Sequence, residues 1–276
     1  MVESPLDIRQ MLTEQRALAP RAWIFTSATL GEDDRLAWFT EQAGLEGART
    51  LRVGSPFDYA AHARLYVPAG MPKPNEAGHP AAVATLAARF ARVLGGRSFV
   101  LTTTLRALQA IADQLRAELA AVGSDIRVLQ QGEAPKRALM ALFLAEPRSV
   151  LVGSQSFWEG IDVPGDALQC VLIDKLPFPP PNDPLVEARV KRLEAQGRNA
   201  FADYFIAEAA VSLKQGAGRL IRSETDRGLL VVCDPRMAGM NYGRRLREAL
   251  PPMTRVANEA EATAWLGALA SERAAF

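Results

Sequence analysis

From Gly96 to Arg236 the chain repeats one pattern: a short run of Val, Ile and Leu, then a longer stretch with apolar residues every third or fourth position. "RSFVLTTT", "DIRVLQQG", "SVLVGSQ", "LQCVLIDKLPF" and "GLLVVCDPR" are strand-like, while "LRALQAIADQLRAELAAVG", "APKRALMALFLAEP" and "ADYFIAEAAVSLKQGAGRLIR" have helical spacing. A further helix, "AAVATLAARFARVLGG", precedes them and closes on a glycine pair. Strands that are apolar throughout, not at alternate positions, have both faces buried. That requires a mainly parallel sheet with helices on either side, an α/β chain in three layers.

The flanking segments are less regular. "SPLDIRQMLTEQRAL" reads as a helix capped by Ser4, with Pro5 at its first position and Asp7 in its first turn. Trp23 to Thr26 is expected as a short strand, "LRVGSPFDY" as another strand and turn, and Pro68 to Pro80 as loop. "NEAEATAWLGALASERAAF" spaces Ala262, Trp265, Leu266 and Leu269 along one side of a helix, which either packs back on the domain or docks a partner.

Composition narrows the chemistry. With a formal net charge of +1 over 276 residues there is no general basic excess, so any nucleic-acid contact must come from local clusters and backbone amides. Two cysteines, Cys170 and Cys233, lie inside apolar strands and read as core residues; with His62 and His79 scattered, no four-ligand metal site is expected. No apolar run is long enough to span a bilayer and "MVESPLDIRQ" lacks a signal-peptide pattern, so the expected location is the cytoplasm. There is no Gly-Lys dipeptide, hence no phosphate loop, and no G-x-S-x-G, H-E-x-x-H or strand-borne G-x-G-x-x-G motif.

In open parallel sheets ligands bind beyond the carboxyl ends of the strands. Thr102 to Thr104, Gly153 to Ser156 and "DKLPFPPPNDP" fall there, a row of hydroxyls and amides suited to phosphate oxygens. Thr103 and Thr104, at a strand end and helix start, either bind a phosphate or simply cap the helix. In "KQGAGRLIRSETDRG", Gln215, Arg219 and Arg222 are four and then three apart, so a continuous helix would project all three from one face while Leu220 and Ile221 turn inward. Two guanidinium forks beside glycine backbone suit a phosphate; the alternative is a solvated face answered by Glu224 and Asp226.

Taken in order, "FTSATL" (25–30), "GSPFDY" (54–59), "GSQSFWEGIDVPG" (153–165), "DKLPFPPPNDP" (174–184) and "QGAGRLIR" (215–222) resemble the second motor domain of the DinG and XPD-like superfamily 2 DNA helicases, nearest the bacterial YoaA branch. The resemblance implies a RecA-like fold without its own phosphate loop, spanning 1–253 and followed by a helical tail at 254–276. It also implies a partner motor domain ahead of Met1, which supplies the phosphate loop, the magnesium-binding acidic box and a four-cysteine 4Fe-4S cluster.

By the same resemblance Gln215, Arg219 and Arg222 face ATP and Mg2+ held by that first domain, the arginines as fingers. Glu159, Gly160 and Asp162 sit near the nucleotide ribose and the domain interface, although Asp162 also reads as an ordinary turn residue; Trp158 reads as a packing anchor of the loop or as a base-stacking platform. Ser154 and Ser156 face single-stranded DNA, while Ser27 and Thr29 couple nucleotide state to the DNA track. The implied activity is 5′ to 3′ ATP-dependent DNA unwinding in repair or replication, with this chain inactive alone. The implied further partner is the chi subunit of the replicative polymerase's clamp-loader assembly, DNA polymerase III, docked through Trp265, Leu266 and Leu269.

Overall fold

The structure, a computed structural model, describes residues 8–18, 21–27, 29–31, 33–154, 157, 163 and 165–274. In chain order its elements are α1 (Arg9–Ala17), α2 (Ala37–Ala43), α3 (Tyr59–His62), β1 (Ala63–Tyr66), α4 (His79–Leu94), β2 (Ser98–Thr102), α5 (Leu105–Ala121), β3 (Arg127–Gln130), α6 (Lys136–Ala145) and β4 (Ser149–Ser154). There follow β5 (Cys170–Ile173), α7 (Pro184–Ala195), a π-helical turn (Phe201–Phe205), α8 (Ile206–Ala217), β6 (Gly228–Val232), α9 (Arg236–Gly239), α10 (Asn241–Ala249), β7 (Thr254–Val256) and α11 (Glu259–Ala274). Contacts group the chain into two units, Met1–Ser55 with Phe178–Val211, and Pro56–Pro177 with Ser212–Phe276.

The second unit holds the sheet. Among the described residues seven strands run in the order β3-β4-β2-β5-β6-β1-β7, and every pairing is parallel. Strands β2, β5 and β6 are buried at every position, as their unbroken apolar sequences require. Leu86, Phe90, Ile111 and Leu115 from α4 and α5 join Val100, Val150, Leu172 and Val231 of the strands in one core. Cys170 and Cys233 lie fully inside it, and burial pushes both thiols well above their ordinary pKa. Because the register pairs Leu101 with both Gly153 and Ile173, the carboxyl ends of the central strands finish side by side.

The first unit is small. Leu12, Ala43 and Leu45 form a separate core, with Phe25 and Phe39 against it. Neither expected strand is present here: Trp23 to Thr26 and Leu51 to Ser55 carry no strand pairing, and Ile24, Leu51 and Val53 are 85%, 82% and 83% exposed. A strand needs a ladder partner to satisfy its amides, and neither segment has one among the described residues. The capping residues Ser4, Pro5 and Asp7 lie outside the described residues.

The tail helix α11 packs on α4. Ala262, Leu266 and Leu269 are 0%, 0% and 2% exposed, and Trp265 donates its indole N–H to the Gly228 carbonyl at 3.2 Å. The Arg64 and Arg227 guanidiniums lie 3.9 and 4.9 Å from its ring centre. Of the two readings of this stripe, packing back on the domain is the one the structure describes: Leu266 and Leu269 serve the domain's own core. Leu266→Ala should accordingly cost about 3 kcal/mol in a urea titration. A loss below about 0.5 kcal/mol, expected of an arm detached from the core, would contradict this packing.

Candidate functional site

Of the predicted residues, those described in the second unit fall at two opposite ends of the sheet. At the carboxyl end, β2 finishes at Thr102 and the 17-residue helix α5 begins after Thr104, whose hydroxyl oxygen accepts from the Ala107 amide at 3.2 Å. The capping role of Thr104 is thus real, and it leaves the Thr103 to Leu105 backbone at a helix N-terminus. The Ser154 amide, one strand away at the end of β4, donates to the Gln131 side chain at 2.6 Å. Gly153 has to be glycine here, since a Cβ would stand 2.9 Å from that of Phe157.

Two buried acids hold this rim together. Asp174, the residue after β5 and 1% exposed, accepts from the Thr103 amide at 3.1 Å and the Lys175 amide at 2.7 Å through one oxygen. Its other oxygen has no hydrogen-bond partner among the described residues. The Asp174 carbonyl lies 2.9 Å from Nε2 of His79, whose Nδ1 is 2.9 Å from the Pro72 carbonyl, so the proline-rich loop is tied to the same point. Asp234, fully buried after β6, accepts from the Leu176 amide at 2.9 Å and from Nη2 of Arg236 at 2.7 Å. Sequence reading missed His79, Asp174 and Asp234 as organisers; the available signal was an acid directly after each of two wholly apolar strands, "VLID" and "VVCD".

The arginine segment lies elsewhere and is not a continuous helix. Helix α8 ends at Ala217; the Arg219 amide then donates to Gly216 at 3.2 Å and the Leu220 amide to Ala217 at 3.0 Å, a tightening into 3₁₀ turns. Gly218 sits at this exit, where a Cβ would come within 3.2 Å of the Lys214 carbonyl. Leu220 and Ile221 are 1% and 2% exposed, the inward pair the sequence predicts, and two adjacent buried residues suit a chain leaving its helix. Gln215 therefore remains helical while Arg219 and Arg222 stand beyond the helix end, which corrects the single-face arrangement.

Asp226 fixes this turn. Only 4% exposed, its carboxylate accepts from the Arg222 amide at 2.7 Å, the Ser223 amide at 2.9 Å and the Ser223 hydroxyl at 2.6 Å. It answers backbone amides, unlike the surface counter-ion that the sequence suggested. A Cβ on Gly228, the first residue of β6, would be 2.5 Å from Leu220, so Arg219 to Arg222 pass the amino ends of the strands, away from the hydroxyl rim.

In the first unit, Ser27 and Thr29 form a small hydroxyl turn, the Thr29 amide donating to the Ser27 oxygen at 3.1 Å. Ser156, Trp158, Glu159, Gly160 and Asp162 lie outside the described residues. No group of three or more His, Cys, Asp or Glu among the described residues is placed to hold a metal ion.

Burial pushes the Asp174 carboxyl up to about 7, against the opposing pull of Lys175 and the two amides, and Asp234 adds to the rise. An unfolded aspartate releases its proton near about 3.9. Between these values the folded chain binds more proton than the unfolded one, so this group's contribution to stability falls as pH rises. Asp174→Asn should flatten that dependence in urea titrations between about pH 5 and about pH 7.5. Parallel pH profiles for the two proteins would contradict the assignment.

This arrangement resembles known proteins. The ATP-dependent DNA helicase YoaA of Escherichia coli is 40% identical over 263 residues, 95% of this chain and 41% of that protein. The ATP-dependent helicase DinG of Mycobacterium tuberculosis is 38% identical over 271 residues, 97% of this chain and 40% of that protein. The chain thus spans about two-fifths of the length of these curated relatives. The solved structure of S. tokodaii Xpd4 superposes with a TM-score of 0.51 at 16% identity, over 71% of this chain and 39% of that one, and the fold is the RecA-like α/β architecture expected. Residues 87–253, more than half of the sequence, match the helicase C-terminal domain, and the chain belongs to that family.

Proposed function

We propose that the chain is the second motor half of an ATP-dependent, 5′ to 3′ DNA helicase acting in repair or replication. In this reading it faces nucleotide with one end of its sheet and single-stranded DNA with the other. The observation that carries it is the Arg219–Arg222 turn: two arginines beyond a helix end, set by a buried core pair and by Asp226, in a chain without a phosphate loop.

The residues present fit part of an ATP site. Planar guanidiniums suit the phosphates, and in this reading another domain supplies the metal site and the phosphate cradle. ATP with Mg2+ supplies the free energy of strand movement; Arg219 and Arg222 would neutralise phosphate charge as fingers, and Gln215 would orient beside them. Glu159, Gly160 and Asp162 are assigned to the ribose side. Cys170 and Cys233 do not fit a 4Fe-4S cluster, since both are core residues with no exposure, and any such cluster would lie outside this chain. At the carboxyl rim the Thr104 amide and the hydroxyls of Thr103, Ser154 and Ser156 would contact DNA phosphates without reading sequence, while Ser27 and Thr29 would couple nucleotide state to the DNA track.

The chain alone should show no ATP hydrolysis, with or without single-stranded DNA; turnover that survives repurification would contradict the reading. In a longer protein that includes the ATP-holding domain, Arg219→Ala and Arg222→Ala should each lower ATP turnover about a thousandfold while leaving single-strand affinity within about threefold. Either variant retaining turnover within about threefold of the parent would show that arginine to be a surface residue.

A further inference from the structure

Two buried acids stand at the ends of neighbouring strands, and their hydrogen bonds set them apart. Asp234 uses both oxygens: Oδ1 accepts from the Arg236 amide at 3.0 Å, and Oδ2 from the Leu176 amide at 2.9 Å and the Arg236 guanidinium at 2.7 Å. That is the pattern of an ionised carboxylate with its counter-charge. Asp174 takes the Thr103 and Lys175 amides on Oδ1 and, among the described residues, nothing on Oδ2. A carbonyl oxygen has two lone pairs, and two amides fill them. The bare oxygen is where a neutral carboxylic acid carries its proton, so the bonds around Asp174 suit the neutral form.

The charged and titratable groups around it come from several elements. Lys175 is next in the chain, Cys233 and Asp234 follow from β6 with Arg236 bonded to Asp234, and His79 at the start of α4 meets the Asp174 carbonyl. The turn from β2 into α5 presents the Thr103 amide, and the Thr103 hydroxyl is buried with no partner among the described residues. Burial and Asp234 push the Asp174 carboxyl up to about 7 against the pull of Lys175 and the amides. Near neutral pH the group is therefore divided between its two forms.

Asp174 touches the place where the helix starts. It holds the Thr103 amide at 3.1 Å, Thr104 caps α5 one residue later, and the phosphate contacts proposed above begin at the Thr104 amide. A phosphate bound there brings a second negative charge toward a buried one, where water screens little. The carboxylate opposes that approach, whereas the neutral acid does not and still accepts both amides.

We propose that Asp174 is a positioning residue for a DNA phosphate at the start of α5, and that its bare oxygen takes up a proton from solvent as the strand binds. Identifying the anion as DNA rests on the helicase reading above. No other bond changes. Well below pH 7 the acid is neutral with or without DNA, so affinity is level there. As pH rises through about 7 the free chain loses the proton that the bound form needs, and affinity falls. If bound DNA makes the acid about tenfold harder to ionise, about half a proton is taken up near about pH 7.5.

The test titrates this chain with a fluorescent single-stranded oligonucleotide at fixed ionic strength, and follows the same binding by calorimetry in two buffers of different ionisation enthalpy. Between about pH 6 and about pH 8.5 the parent should lose about five- to tenfold in affinity, with proton uptake of about one half near about pH 7.5. D174N keeps an oxygen for both amides and carries no charge. Its affinity should not vary with pH, should exceed the parent's about five- to tenfold at about pH 8.5, and should come with no proton uptake. Weaker binding by D174N with the parent's pH profile, the result of a purely structural aspartate, would overturn the proposal. So would a parent whose affinity is level across this range without proton uptake, a result that needs no variant. A parent chain that binds no oligonucleotide at any pH would overturn the nucleic-acid reading beneath, whereas binding without proton uptake sinks the Asp174 role alone; the Arg219 and Arg222 turnover measurements stand apart from both.

Discussion

Where β2 and β5 end, the carboxyl rim is organised around one buried carboxylate. Asp174 ends a strand that is buried on both faces, and from there it holds the amide that opens the α5 turn, its own following amide, and through its carbonyl the histidine that ties down the proline-rich loop. Such a group carries a desolvation cost, met here by two amides on one oxygen while the other oxygen stands without a partner among the described residues. Asp234 repeats the device one strand further on, receiving the Leu176 amide of the same loop. The rim is thus pinned from two neighbouring strands, and hydroxyls and amides that would face a phosphate are positioned before any ligand arrives.

The opposite end uses the same economy with a different acid. Asp226 gathers two amides and a hydroxyl, and Leu220 fills the space beside Gly228. Between them they carry Arg219 and Arg222 past the amino ends of the strands. A parallel sheet has two chemically distinct ends, and this chain places hydroxyls and helix-start amides at one and the Arg219–Arg222 turn at the other. In the proposed function that separation would let the domain respond to two ligands without bringing them together.

Much of this was legible in the sequence because burial on both faces leaves an unmistakable trace. Strands β2 to β6, helices α5 and α6, and the inward turn of Leu220 and Ile221 follow from the apolar pattern alone. Strands β1 and β7 did not, since "ARLY" and "TRV" are short and mixed, their places set by pairing to β6 and to each other. The opposite error arose at Trp23 to Thr26 and Leu51 to Ser55, where strand-like residues meet no ladder. The helix carrying Gln215 was read too long because spacing registers which residues share a side and not where the hydrogen bonds stop; Gly218 was the available warning. Hydroxyl-bearing rim positions were legible as a group, whereas the acids that position them were not, as an aspartate after a strand gives no sign of what it will hold.

The central claim is that nucleotide and DNA act at opposite ends of this sheet. Hydrogen exchange in a longer protein that includes the ATP-holding domain tests it directly. A non-hydrolysable ATP analogue should slow exchange at the amides of residues 218–223, and a single-stranded oligonucleotide should slow it at residues 103–105 and 154, each without the other ligand. Protection of 103–105 by the analogue alone, with 218–223 unchanged, would contradict the account.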